Sequence, residues 1–262
     1  MKIAQIIYLL PSILLFSCGG GETKEPEKND TTVAKVEVKI EYSEDVKTLI
    51  DKFKISSLDS IPLIVDSLFI ANASSDDSLN GKEVMTLAKT WFKHDLNNGY
   101  EYELKSFHEI DSLKAKGKYA DYLENLDIGM MKDVNCIPLS RYKCGDSTEF
   151  FVWAMKYGTY EACPYAAGTV IFTTHVYNGQ IVGTFVLGED MSAGDAPVGM
   201  SRLVFSELNS SCLLNLNVKE ESDEGDGYTE TEIENYEFNF SSGKFNVVKE
   251  KKEKPKRVKN PE

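Results

Sequence analysis

A chain of 262 residues, 42% of them hydrophobic, is long enough for one large or two small folded domains. Its formal net charge of -13 excludes a nucleic-acid partner, because neutralising a phosphate backbone needs a positive face. No cofactor motif is present, and no cofactor is expected.

At the start, Lys2 supplies a positive n-region, Ile3 to Leu15 an apolar core and Ser17-Cys18 a small-residue cleavage site. The apolar run is too short to cross a bilayer as a helix, which needs about 20 residues, and Pro11 interrupts it. Residues 1–17 therefore read as a signal peptide. Leu14-Leu15-Phe16-Ser17-Cys18, followed by Gly19-Gly20-Gly21, resembles the lipobox of bacterial lipoproteins of the Bacteroidota type. That resemblance implies that Cys18 carries the lipid and becomes the new N-terminus. It also implies a membrane partner reached through the anchor, at the cell outer membrane, since no aspartate follows the cysteine. Residues 18–42 then form a tether, whose glycines and Glu, Lys, Asp and Thr residues suit a solvated stalk.

A helical portion is expected over residues 43–127. Ser43 caps a first helix with Val46, Leu49, Ile50 and Phe53 on one stripe. Ile61 to Ile70 is an apolar run around Pro62, either strand or helix turn. A second helix carries Val84, Leu87, Ala88, Trp91 and Phe92 and stops at Asn97-Asn98-Gly99. Tyr100, Tyr102 and Leu104 alternate as in a strand, and Tyr119, Tyr122, Leu123 and Leu126 form a third helical stripe.

From residue 128 to 250 the period changes to two, which predicts an antiparallel meander of seven or eight strands. The expected spans are 128–143, 148–159, 166–177, 180–187, 202–208, 211–219, 228–240 and 244–249. Asn178-Gly179 suits a type I′ turn. Glu189 to Gly199 reads as a long loop and the first place to seek a binding edge. Residues 251–262, rich in Lys with two prolines, read as a disordered basic tail. The fold class is thus α+β, helices first and meander second.

Candidate chemistry is sparse. Cys136 and Cys144 are the best pair for a local disulfide across a hairpin containing Pro138; reduced, buried thiols are the other reading, and zinc lacks a C-x-x-C pair. Ser241-Ser242-Gly243-Lys244 matches S-x-x-K but falls on a hairpin tip, where no helical turn brings the lysine to the serine. His94, His108 and His175 lie in different elements, and the acidic run Glu220 to Gly227 departs from EF-hand spacing. No catalytic residue and no metal ligand is assigned. Several Asp-Ser and Asp-Thr triplets resemble Bacteroidota O-glycosylation acceptors, with Thr31 and Ser78 on exposed-looking segments. The expected function is a non-catalytic, lipid-anchored envelope module that binds a protein or glycan partner. The alternative is an envelope hydrolase whose site assembles only in the fold.

Overall fold

Ser43 opens the first helix as its position predicts: in the computed structural model its Oγ accepts from the Val46 amide at 3.4 Å, and α1 runs Glu44–Ile50. The structure describes residues 40–55, 62–127, 130–160, 165–195 and 198–260. All lie in the compact unit that begins at Val38. Val46 and Leu49 are buried, and Phe53 stacks on Phe151 at 4.9 Å.

The apolar run around Pro62 contains both elements that its pattern left open. Its described part forms β1 (Leu63–Val65) and then α2 (Ser67–Ala71), with Asp66 accepting from the Phe69 amide at 2.8 Å to switch one into the other. α3 (Gly81–Leu87) opens with a reciprocal Asn80–Glu83 capping box. It ends before Trp91, earlier than its apolar stripe suggests. The backbone at Thr90 leaves the helix to accept from the Thr184 amide at 2.8 Å, and the Phe92 amide returns to the Thr184 carbonyl at 3.2 Å. Trp91 then packs on Phe172 and Tyr100, while Phe92 meets His175, Phe240 and Phe245. The strand expected at Tyr100–Leu104 is instead the start of α4 (Tyr100–Ala115). Tyr100, Leu104, Phe107 and Ile110 are buried at helical spacing, and that longer stripe overrides the local alternation. α5 (Tyr119–Glu124) follows.

The sheet is a meander of β2 (Met131–Lys143), β3 (Thr148–Thr159), β4 (Tyr165–Tyr177), β5 (Gln180–Asp195), β6 (Val198–Leu208), β7 (Leu213–Glu224) and β8 (Tyr228–Asn239). Each pairs antiparallel with the next. β1 pairs with β6, while β9 (Asn246–Lys252) and β10 (Lys256–Lys259) share the edge of β8, giving ten strands among the described residues. Mostly β with a helical N-terminal side, the architecture is the α+β arrangement that the two periodicities predict. At the type I′ turn Asn178 has φ 48° and Gly179 φ 75°. A Cβ at Gly179 would also collide with the Glu41 carbonyl.

Three further expectations are corrected. The segment Glu189 to Gly199 is not a long loop. β5 pairs with β6 from Glu189↔Val204 to Asp195↔Val198, and Tyr165 to Gly168 of β4 flanks the other side. Its small polar residues read as loop, but backbone ladders on both sides hold it extended. Nor is the basic tail disordered through residue 260: β9 and β10 lie along β8, where Lys252 pairs with Glu234 at 2.8 Å and Lys249 and Arg257 face Glu237 and Glu230. The acidic strand cancels the self-repulsion of the lysines. The break at 253–255 and the many Lys residues also suit an outermost strand.

The third correction concerns cysteines. Cys144 is joined to Cys212, with Cα atoms 5.8 Å apart, and Cys136 is a free, buried thiol. Cys136 sits in the middle of β2 and Cys144 just past its end, so eight residues of extended chain at about 3.3 Å each hold them too far apart to bond. Pro138 marks a register shift in β2, not a hairpin. Because Cys144 directly follows β2, at one edge of the sheet, and Cys212 lies between β6 and β7, the sheet must curl to bring them together. Cys163 lies outside the described residues.

Candidate functional site

Two networks of ionisable side chains form inside the fold. In the first, Tyr100 on α4 donates from its hydroxyl to Glu189 Oε2 on β5 at 2.7 Å. Arg202 on β6 reaches the same Oε2 at 3.3 Å and Glu220 of β7 at 3.0 Å. Burial raises the Glu189 carboxyl above its usual range, and Arg202 opposes that rise. Burial also raises Glu103, whose Oε2 has no hydrogen-bond partner among the described residues. In the second network Glu149, only 2% exposed, accepts from the Tyr42 hydroxyl at 2.8 Å and lies 3.8 Å from Arg141 and 3.5 Å from Lys143.

A raised carboxyl beside a tyrosine is the kind of group that proton-transfer catalysis uses. Four concavities on the surface are lined by other residues, and none is lined by Glu189, Arg202 or Glu149. The networks tie α4 and the Tyr42 segment to the sheet.

The concavities carry the groups that face solvent. A trough of about 580 Å³ lies over β6 to β9, with Ile64 and Asp66 of the β1–α2 junction as one wall. Strand register sets Phe205, Asn217, Asn235 and Lys251 in one row and Glu207, Asn215, Glu237 and Lys249 in the next. Asn217 Nδ2 donates to Asn235 Oδ1 at 3.0 Å, leaving further amide and carboxylate capacity open. A second cleft of about 590 Å³ runs along Trp91, His94, Asn98 and the first turns of α4. Asn97, beside it, is buried: it donates to the Phe92 carbonyl at 2.7 Å and accepts from the Val186 amide at 3.1 Å.

Of the histidines, His175 is fully buried among Phe150, Phe92 and Phe240. Neither ring nitrogen has a partner among the described residues, and burial pushes its pKa down to about 4. The folded state therefore holds it neutral, so its contribution is complete above the unfolded pKa near 6.5 and is lost as pH falls towards 4. The span corresponds to about 3 kcal/mol. His175→Phe is expected to flatten the fall in urea midpoint between pH 7 and pH 4.5 relative to the parent. An unchanged pH slope would show that His175 is charged or solvated.

The predicted residues do not converge. Cys18 and Thr31 lie outside the described residues; Ser78 is exposed between α2 and α3. Cys144 is bonded to Cys212, and Cys136 sits apart in the core. Ser241 and Lys244 lie on the turn after β8. Among the described residues no three His, Cys, Asp or Glu side chains gather as a metal site. Tyr100, Glu189 and Arg202 escaped sequence reasoning, their one signal being an acid that directly follows the apolar run Phe185 to Gly188. No family model matches the chain, and no curated protein or solved structure matches it either.

Proposed function

We propose that the chain is a lipid-tethered envelope protein of non-catalytic type, a binding or accessory module for a protein or glycan partner. The tether half rests on the Lys2 to Cys18 pattern and on the stalk composition that follows it. Two or three acyl chains, each held by about 0.8 kcal/mol per buried CH₂, make such an anchor durable. The binding half rests chiefly on the lining of the four concavities, where among the described residues no serine is hydrogen-bonded to a histidine, lysine or carboxylate. A hydrolase needs a nucleophile and a base in mutual reach at a cleft, and the serine–lysine match on the turn after β8 lacks that geometry.

Cys18→Ala is expected to abolish acyl labelling and release the protein from membranes. Membrane retention equal to that of the parent would remove the tether. Crosslinking in intact envelopes is expected to recover a partner, and turnover of an envelope substrate with no partner recovered would overturn the binding half.

A further inference from the structure

We infer that the cleft between the end of α4, the start of α5 and the paired strands β2 to β4 is a binding site for an acidic saccharide. The inference rests on the binding-module reading and names its ligand class. The cleft holds about 370 Å³, within the range of about 300–1,000 Å³ usual for small-ligand sites. Lys114, Tyr119, Asn135, Lys156 and Tyr157 line it. Lys156 and Asn135 are register partners across β2 and β3, and Tyr157 pairs with Gly168 of β4, which adds no side chain beside it.

The cleft leaves polar capacity open. Lysines elsewhere are of both kinds: Lys52 pairs with Glu83, Lys219 with Glu221 and Lys252 with Glu234, whereas Lys93 and Lys249, each lining another concavity, have no ion pair among the described residues. Among the described residues neither Lys114 nor Lys156 has an ion pair, and the Asn135 amide and Tyr157 hydroxyl have no hydrogen-bond partner. The Lys114 ammonium stands 4.8 Å over the Tyr119 ring. Asp133 is the one acid among the lining residues, so cations outnumber it in a chain of net charge -13.

Each group has a use on an acidic sugar. The two ammonium groups suit a carboxylate as point charges. An amide that both donates and accepts, and a phenol, match neighbouring ring hydroxyls. Burial and the nearby Glu189 and Glu103 keep the Tyr157 phenol protonated, so it remains a donor. The Tyr119 ring, stacked on Tyr122 at 6.0 Å, carries the Lys114 ammonium and holds that charge at the cleft.

The test uses the full-length chain in detergent, titrated with a trimeric oligogalacturonate, with its uncharged methyl ester and with inorganic phosphate. The acid is expected to bind and to shift the Asn135 side-chain amide resonances, with the ester at least tenfold weaker. Lys114→Gln and Lys156→Gln are each expected to weaken binding about tenfold at unchanged melting temperature, whereas Lys249→Gln in the β6–β9 trough leaves it unchanged. Equal binding of acid and ester, no binding of the acid, or full affinity in the double lysine variant would overturn the site. Phosphate that displaces the acid at equal concentration would reduce it to an anion site without saccharide recognition, which also overturns it. Failure of these with envelope crosslinks intact removes the ligand class and leaves the module.

Discussion

Replacing Arg202 by Met is expected to destabilise the protein by about 3–5 kcal/mol, the range seen when one partner of a buried ion pair is removed. Arg202 sits 3.3 Å from Glu189 and 3.0 Å from Glu220, and the Glu189 side chain is 3% exposed. Without the guanidinium, Glu189 keeps only the Tyr100 hydroxyl as a partner for its charge. Burial already raises its pKa, and loss of the one cation opposing that rise lifts it further. A carboxyl whose folded pKa lies above its unfolded value stabilises at low pH, and this contribution is lost as pH rises through the folded value. The variant should therefore lose stability from pH 5 to pH 8 more steeply than the parent, as read from urea midpoints. Glu189→Leu combined with Arg202→Met is expected to regain most of the loss, because an apolar pair leaves no stranded charge. A single variant within about 1 kcal/mol of the parent would mean that water reaches Glu189.

Removing the Cys144–Cys212 bond by a double alanine substitution is expected to cost about 4 kcal/mol, the chain-entropy value for its sequence separation of 68 residues. In a body of this size that lowers the melting temperature by roughly 10 °C. Reductant added to the parent should reproduce the shift, and Cys136→Ala should leave the response to reductant intact because that thiol is free. If reductant moved the melting point of the double variant as far as that of the parent, the bond would be misassigned.

What the sequence revealed was local. Ser43 and Asn178-Gly179 carry their geometry in their own side chains and backbone preferences, and both sit where they were expected. The change of period after residue 128 likewise separated helices from meander. What it hid depends on partners far along the chain. The second helix stops early because Thr90 pairs with Thr184, and nothing within the helix announces a strand 90 residues away. The tail looks solvated until the acidic strand β8 is laid beside it. Cysteine pairing needed the curl of the sheet, which no spacing encodes. The lysine and tyrosine cleft draws from α4, α5 and three strands, so its members are unremarkable one by one.

The pairing of β1 with β6 joins Leu63–Val65 to Leu208, Glu207 and Ser206, more than 140 residues later. A helical half and a β half are therefore a convenience of description, since the early segment contributes a rung to the late sheet. A nascent chain displaying only its first two hundred residues lacks the surface on which β1 closes. Its apolar side chains Leu63 and Val65, buried in the finished fold, must wait unsheltered in the meantime. Such non-local closure slows folding, because loop-closure entropy opposes the contact until it forms. During that interval the exposed apolar segment favours aggregation, the more so the higher the local concentration.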